Sequence, residues 1–296
     1  MRKGFTLGLL LAAAVTAALP LSAGDSRKNP AEIGHRKVSG TVNFYSLAQE
    51  LALGKQLAIE VEKQARMVED PVVSEYVNRL GQNLARNSDV EFPVSFRVIE
   101  SDEINAFTLP GGYVFINAGL VRLTANESQL AAALAHELGH AAARHATRQA
   151  TRNQLVKLGI VPLSILGGWT GFAVAQAASL GAPMAQFKFS REFESEADLL
   201  GLQYLWKAGY DPNASVDLFE NLASSERREP GSVARLFRTH PLTLDRIGNT
   251  QKNIDQILPA REEYVINTSE YEEVRERLKS AVKKLRESEA PTLRRQ

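Results

Sequence analysis

The chain has no cysteine in its 296 residues. That excludes disulfides, a thiolate metal ligand and a lipoprotein anchor. An excess of either charge is lacking as well, with 35 Lys and Arg against 34 Asp and Glu. Such balance argues against nucleic acid as a partner and gives no broad attraction to an anionic membrane. Internally there is no unbroken apolar run suited to crossing a bilayer. The uncharged stretch 158–187 is interrupted by Gly159, Pro162, Gly167, Gly168, Gly171, Gly181 and Pro183. It separates two motifs that belong in one site, so a single crossing would part them, and two crossings need about 40 apolar residues. It reads either as a re-entrant loop or apolar flap in contact with the membrane surface, or as a buried Ala/Gly-rich helical hairpin.

What is present begins with an address. Arg2 and Lys3 precede an uncharged run from Phe5 to Leu21, and Leu21-Ser22-Ala23 offers small residues before Gly24. Residues 1–23 read as a signal peptide, which implies a periplasmic protein; an uncleaved anchor is the alternative. Residues 24–45 are polar and Gly-containing and are expected to be an extended lead-in. The remaining length suits one large domain, placed at 46–258, followed by a strand and an amphipathic helix in 259–296.

From Glu127 to Gln149 the chain contains no Pro and only Gly139, and is rich in Ala. This predicts one helix, opened by a capping box of Thr124 and Glu127. Leu130, Leu134 and Leu138 form its core stripe, and His136 and His140 point away from it. His136-Glu137-x-x-His140 places two imidazoles one turn apart on one face, able to grip one metal, with a carboxylate beside them to handle a proton. The bland alternative is two ordinary helix histidines next to a glutamate.

A zinc site of this kind needs a third protein ligand and an open position. His145 lies five residues past His140 and rotates well off the shared face. The metzincin pattern fails, because positions 143 and 146 are Ala. A better candidate is Glu194, with Asp198 one turn on, where it can receive the free N–H of a ligating histidine. Glu192 and Glu196 are rivals for ligand, and a solvated acidic helix face is the alternative to both.

Elsewhere, helices are predicted from Leu47 to about Met67 (apolar Leu47, Leu51, Leu57, Ile59 and Val61) and from Pro71, with Val73, Tyr76, Val77 and Leu80 as its stripe. Val94–Ile99 alternates as a strand, and Ala106–Leu109 and Tyr113–Ile116 flank the turn Pro110-Gly111-Gly112 as a hairpin. Helices follow through Leu199, Leu202 and Leu205 to Gly209, after Asp211-Pro212, and from Leu244 to Ile257. The tail carries Tyr264-Val265-Ile266 as a strand and a helix with Tyr271, Val274, Leu278, Val282 and Leu285 on one stripe. The class is α+β, mostly helical.

The set Asn105-Ala106-Phe107…Pro110-Gly111-Gly112, His136-Glu137-x-x-His140, Glu194-x-x-x-Asp198 and Thr239-His240-Pro241…Arg246-Ile247 resembles the gluzincin metallopeptidases related to HtpX and the CAAX prenyl endopeptidases, most closely the soluble periplasmic BepA-like branch. The resemblance covers roughly residues 40–260. It implies a zincin-type domain with a small edge-strand sheet beside the HExxH helix, one Zn²⁺ held by His136, His140 and Glu194, and Glu137 as general base. It also places the Thr239–Arg246 loop beside the cleft, where His240 and Arg246 are candidate oxyanion donors. His240 has a second candidate role, filling the open zinc position until the loop moves. Where BepA-like chains continue into a long helical-repeat region, residues 259–296 read here as a short strand and one amphipathic helix. The function implied is an exported zinc endopeptidase acting on misfolded or unassembled envelope polypeptides, unfolded outer-membrane proteins among them. A chaperone-like assembly factor with latent protease activity is the competing reading.

Overall fold

The computed structural model describes residues 25–40, 42–158 and 189–289, with the side chains of 156–158, 244 and 281–289 left out. The signal segment 1–23 and nearly all of the apolar stretch 158–187 lie outside the described residues, so neither expectation is addressed here. No helix among the described residues is long and apolar enough to cross a membrane.

Helix α1 runs Leu47–Gln64 and opens on a capping box of Ser46 and Gln49. Helix α2, Pro71–Arg86, starts with Pro at its first turn and the Asp70 carboxylate accepting from the Val72 amide. Its predicted stripe of Val73, Tyr76, Val77 and Leu80 is buried. Three strands follow: β1 (Ser95–Ile99), β2 (Ala106–Leu109) and β3 (Tyr113–Asn117). β3 is central, parallel to β1 and antiparallel to β2. The β2–β3 hairpin is the predicted one. Gly111 and Gly112 close it at φ of 71° and 85°, a region that other residues enter only with strain. The sheet packs on α2 and on the central helix α4.

After the short α3 (Ala118–Leu123) comes α4 (Glu127–Ala142), and here the expectation needs three corrections. First, the N-cap is Asn126, whose side chain accepts from the Gln129 amide, while the Gln129 side chain accepts from the Ala125 amide. Thr124 instead ends α3. Second, every residue of α4 except His136 is buried, so the helix is enclosed all round and not one-sided. Small Ala side chains let neighbours close over the back of the stripe. Third, the helix does not reach Gln149. It breaks at Arg144, which takes φ 55°, and α5 (His145–Leu158) starts afresh. That conformation costs on the order of 1–2 kcal/mol. It is held by Arg144 donating to Glu50 Oε2 at 2.6 Å and to the Tyr45 carbonyl at 2.8 Å.

The second half is helical: α6 (Arg191–Lys207), α7 (Ala214–Arg228), a short α8 (Ala234–Thr239), α9 (Leu244–Ile257) and α10 (Ser269–Glu289). Tyr264–Ile266 is not a full strand. Val265 makes one parallel bridge to Tyr210, and the Ile266 carbonyl accepts from the Ser128 amide at the start of α4. α10 docks on α2 and α3 through Tyr271, Val274 and Leu278. The buried face of α1 differs from the expected stripe: Leu53, Leu57 and Ala58 are buried, whereas Ile59 faces solvent.

Residues 25–40 are not an extended lead-in. Two single 3₁₀ turns bring Ile33 and Val38 into the core, and Arg36 lies buried against Asp89 at 2.9 Å. The backbone carbonyls of Ser26, Arg27 and Asn29 and the Gln203 amide oxygen all accept from its Nη1, and Tyr204 donates to the same Asp89. Removing one partner of a buried pair strands the other charge. Arg36→Met is therefore expected to cost about 3–5 kcal/mol, read as a lowered Tm in a thermal melt; an unchanged Tm would mean the segment is not part of the folded unit.

Candidate metal centre

α4 and α6 bring the two sequence motifs together, and two glycines set how close they come. A methyl at Gly139 would sit 2.7 Å from the Ala197 carbonyl oxygen, and one at Gly201 would sit 2.7 Å from that of Ala135. The helices therefore meet main chain to main chain.

At this crossing four ligating groups converge. His136, His140, Glu194 and His240 offer atoms that all lie within 4.8 Å of one another. The Nε2 atoms of His136 and His140 are 3.1 Å apart. Glu194 lies 3.5 Å from His140 Nε2 and 3.6 Å from His136 Nε2. His240 comes from the turn between α8 and α9, with Nδ1 3.1 Å from Glu194 Oε1 and 3.4 Å from His136 Nε2. Three imidazole nitrogens and one carboxylate oxygen, mutually close and largely buried, fit a four-coordinate divalent metal. Of the rival carboxylates, Glu192 is exposed and paired with Arg152, and Glu196 faces the opposite way toward His145, Arg148 and Arg27.

Behind this cluster stands a layer of partners. Asp198 Oδ1 is 3.0 Å from His136 Nδ1, at bonding distance though out of line with the ring N–H. Arg246 grips Asp198 with two bonds of 2.7 Å and lies 2.8 Å from Glu194 Oε2 and 3.1 Å from the Pro241 carbonyl oxygen. Three of its nitrogens are thus engaged inside the protein, which suits positioning better than the oxyanion donation expected from sequence. Burial pushes the Asp198 carboxyl up, but Arg246 and His136 together outweigh it and hold the group below its ordinary range. Burial acts likewise on Glu194, and the His240 and His140 imidazoles hold it well below the usual carboxylate value.

Two neighbours were not legible as site residues. Thr108 of β2 has its hydroxyl 2.8 Å from Glu137 Oε2 and 3.0 Å from the Glu137 main-chain oxygen, so the edge strand orients that carboxylate. Nothing in the spacing signals it. His145 Nδ1 is 2.8 Å from His140 Nδ1, and its Nε2 is 3.0 Å from Glu196 Oε2. On a continuous helix it would be about 140° away from His140; the break at Arg144 turns it back. Burial keeps the His145 imidazole below its ordinary range despite the Glu196 carboxylate.

Fold and site together define an HExxH-type metal centre, of mixed α+β zincin architecture, in which a second helix carries the acidic motif. Residues 71–254 match the model of peptidase family M48, and the chain belongs to that family. It is 32% identical over 222 residues to the beta-barrel assembly-enhancing protease of Yersinia pestis, covering 72% of this chain and 46% of that one. A putative beta-barrel assembly-enhancing protease of Vibrio cholerae is 33% identical over 232 residues, 75% and 48% of the two chains. The mitochondrial metalloendopeptidase OMA1 of Saccharomyces cerevisiae is 33% identical over 155 residues, 50% and 43%. The chain spans about half the length of these curated relatives.

Proposed function

We propose that the protein is an exported zinc endopeptidase that cleaves unfolded or unassembled envelope polypeptides, with His136, His140 and Glu194 as the zinc ligands and Glu137 as general base. The observation that carries this reading is the convergence of those three groups with a separate, hydrogen-bonded carboxylate alongside. Zinc is favoured by the donor set of imidazoles and one carboxylate. When bound, it supplies Lewis-acid polarisation of a carbonyl and a lowered pKa for water. Glu137 takes a proton from the attacking water and delivers it to the departing amine, while Thr108 aims its Oε2. Asp198 stands 3.0 Å behind His136 Nδ1, placed to receive its N–H once the ring turns onto a metal, and Arg246 fixes Asp198 and Glu194 as one unit.

A cavity of about 680 Å³, its open mouth included, adjoins His136 and Glu137 and is walled by Leu120, Leu202, Leu218, Leu222, Leu236 and Phe237. It supports a substrate that offers large apolar side chains, as an unfolded chain does and a folded surface seldom does. β2 pairs only with β3 among the described residues, which supports docking of such a chain as a further strand on its edge. The names of the bacterial relatives and the reading of residues 1–23 support the envelope as its place of action. Direct metal analysis of the purified protein, alongside casein cleavage with and without chelator, tests the proposal; a metal-free chain that cleaves casein would reject it.

For His240 the geometry supports the latch over the oxyanion donor, since its Nδ1 lies among the ligand atoms, 3.1 Å from Glu194 Oε1 and 3.4 Å from His136 Nε2. Such a resting state binds polypeptide without cutting it, which also accommodates an assembly role beside proteolysis. His240→Ala is expected to raise casein hydrolysis per metal-loaded molecule; if nine in ten molecules rest latched, the gain is about tenfold. A fall of about 10²-fold, the effect of losing an oxyanion donor, would reverse the assignment.

A further inference from the structure

We propose that His145 is a positioning residue for His140, and that the chain Glu196, His145, His140 decides which nitrogen of His140 keeps a lone pair for a metal. The inference rests on the reading of His140 Nε2 as a ligand atom.

Bonding inventory gives the argument its direction. An ionised carboxylate only accepts, so the Nε2 of His145, 3.0 Å from Glu196 Oε2, carries a hydrogen. Between His145 Nδ1 and His140 Nδ1, 2.8 Å apart, one nitrogen must donate and the other accept. If His145 is neutral, its Nδ1 accepts and His140 donates from Nδ1. His140 Nε2 then presents a lone pair toward His136 and Glu194. If His145 were an imidazolium it would donate, and a neutral His140 would carry its hydrogen on Nε2, 3.1 Å from His136 Nε2, where it obstructs coordination.

The surroundings select the first order. His145 is fully buried, with its ring stacked on Phe193 at 4.4 Å between centroids. The negative charge of Glu196 is already answered by Arg148 at 2.9 Å and Arg27 at 2.8 Å. An imidazolium placed there would join two guanidiniums around one carboxylate, with its own ring shut off from water, which is unfavourable. The Arg144 backbone conformation, secured by Glu50, is what brings the ring into reach, so an otherwise costly feature acquires a purpose.

The test uses the full chain and two substitutions. His145→Phe keeps an aromatic ring to stack on Phe193 but has no acceptor; His145→Gln loses the ring yet offers a carbonyl oxygen. Zinc affinity by chelator competition is expected to fall on the order of 10–100-fold for His145→Phe and to return to near wild type for His145→Gln. Wild-type affinity in the Phe variant, or a Gln variant as weak as Phe, would overturn the assignment. Independently, nitrogen-detected NMR of histidine-labelled wild type stripped of metal should find the His140 proton on Nδ1. Finding it on Nε2 would also overturn the assignment, even were neither variant to fold. Failure of the wild type to bind zinc would instead reject the ligand reading, and the NMR result would still decide the direction of the chain.

Discussion

Glu137→Gln is expected to bind zinc as the wild type does and to lose casein hydrolysis by on the order of 10²–10⁴-fold. The carboxylate is buried beside the ligand cluster but belongs to none of its contacts with Glu194. Thr108 reaches it from β2, and His240 Nε2 stands 3.5 Å from its other oxygen. An amide preserves size and can still accept from Thr108, so fold and metal content should survive. What it cannot do is take up a proton from water. Measured kcat should therefore fall while zinc per chain, by elemental analysis, stays constant. If cleavage persists undiminished, the general-base assignment fails; if zinc is lost too, Glu137 is a ligand and the register of the site is different.

The second large effect is expected at Glu194. Glu194→Gln should weaken zinc by more than the 10–100-fold typical of losing an outer partner, because it removes an anionic ligand itself. It also leaves Arg246 answered by Asp198 alone, since its contact with Glu194 Oε2 loses its charge. Glu192→Gln serves as the control: that residue is exposed and paired with Arg152, an arrangement worth little. Zinc titration of both variants separates the cases. A sensitive Glu192, or an insensitive Glu194, would show that the helix register is misassigned.

How far the sequence could be read depended on whether a feature was local. The hairpin around Gly111-Gly112, the Pro-initiated α2 and the i, i+4 spacings of His136/His140 and Glu194/Asp198 follow from short-range rules, and the structure has them. Long-range closure was not legible. Arg36 looks like a charge in a polar tail, yet it is buried against Asp89, 53 residues away. Thr108 looks like any strand threonine until the sheet edge meets α4. His145 was misplaced because helical arithmetic assumes an unbroken helix, and Arg144 breaks this one using Glu50 and Tyr45 from near α1. From its motif Arg246 reads as a candidate oxyanion donor; only the packing of α9 against α6 turns it onto Asp198.

Gly139 and Gly201 work as the two jaws of a gauge. The spacing between the helices that carry the ligands is fixed by backbone touching backbone, a distance that no rotamer can alter. Four of the large apolar side chains of the cavity wall, Leu218, Leu222, Leu236 and Phe237, come from α7 and α8, which lie outside that contact. Exchanging Leu218, Leu222 or Phe237 is therefore expected to reshape the cavity without altering the spacing of the two helices. The converse also holds. A methyl at either glycine forces the gauge open, and the site loses its calibration before any of its named ligands has changed.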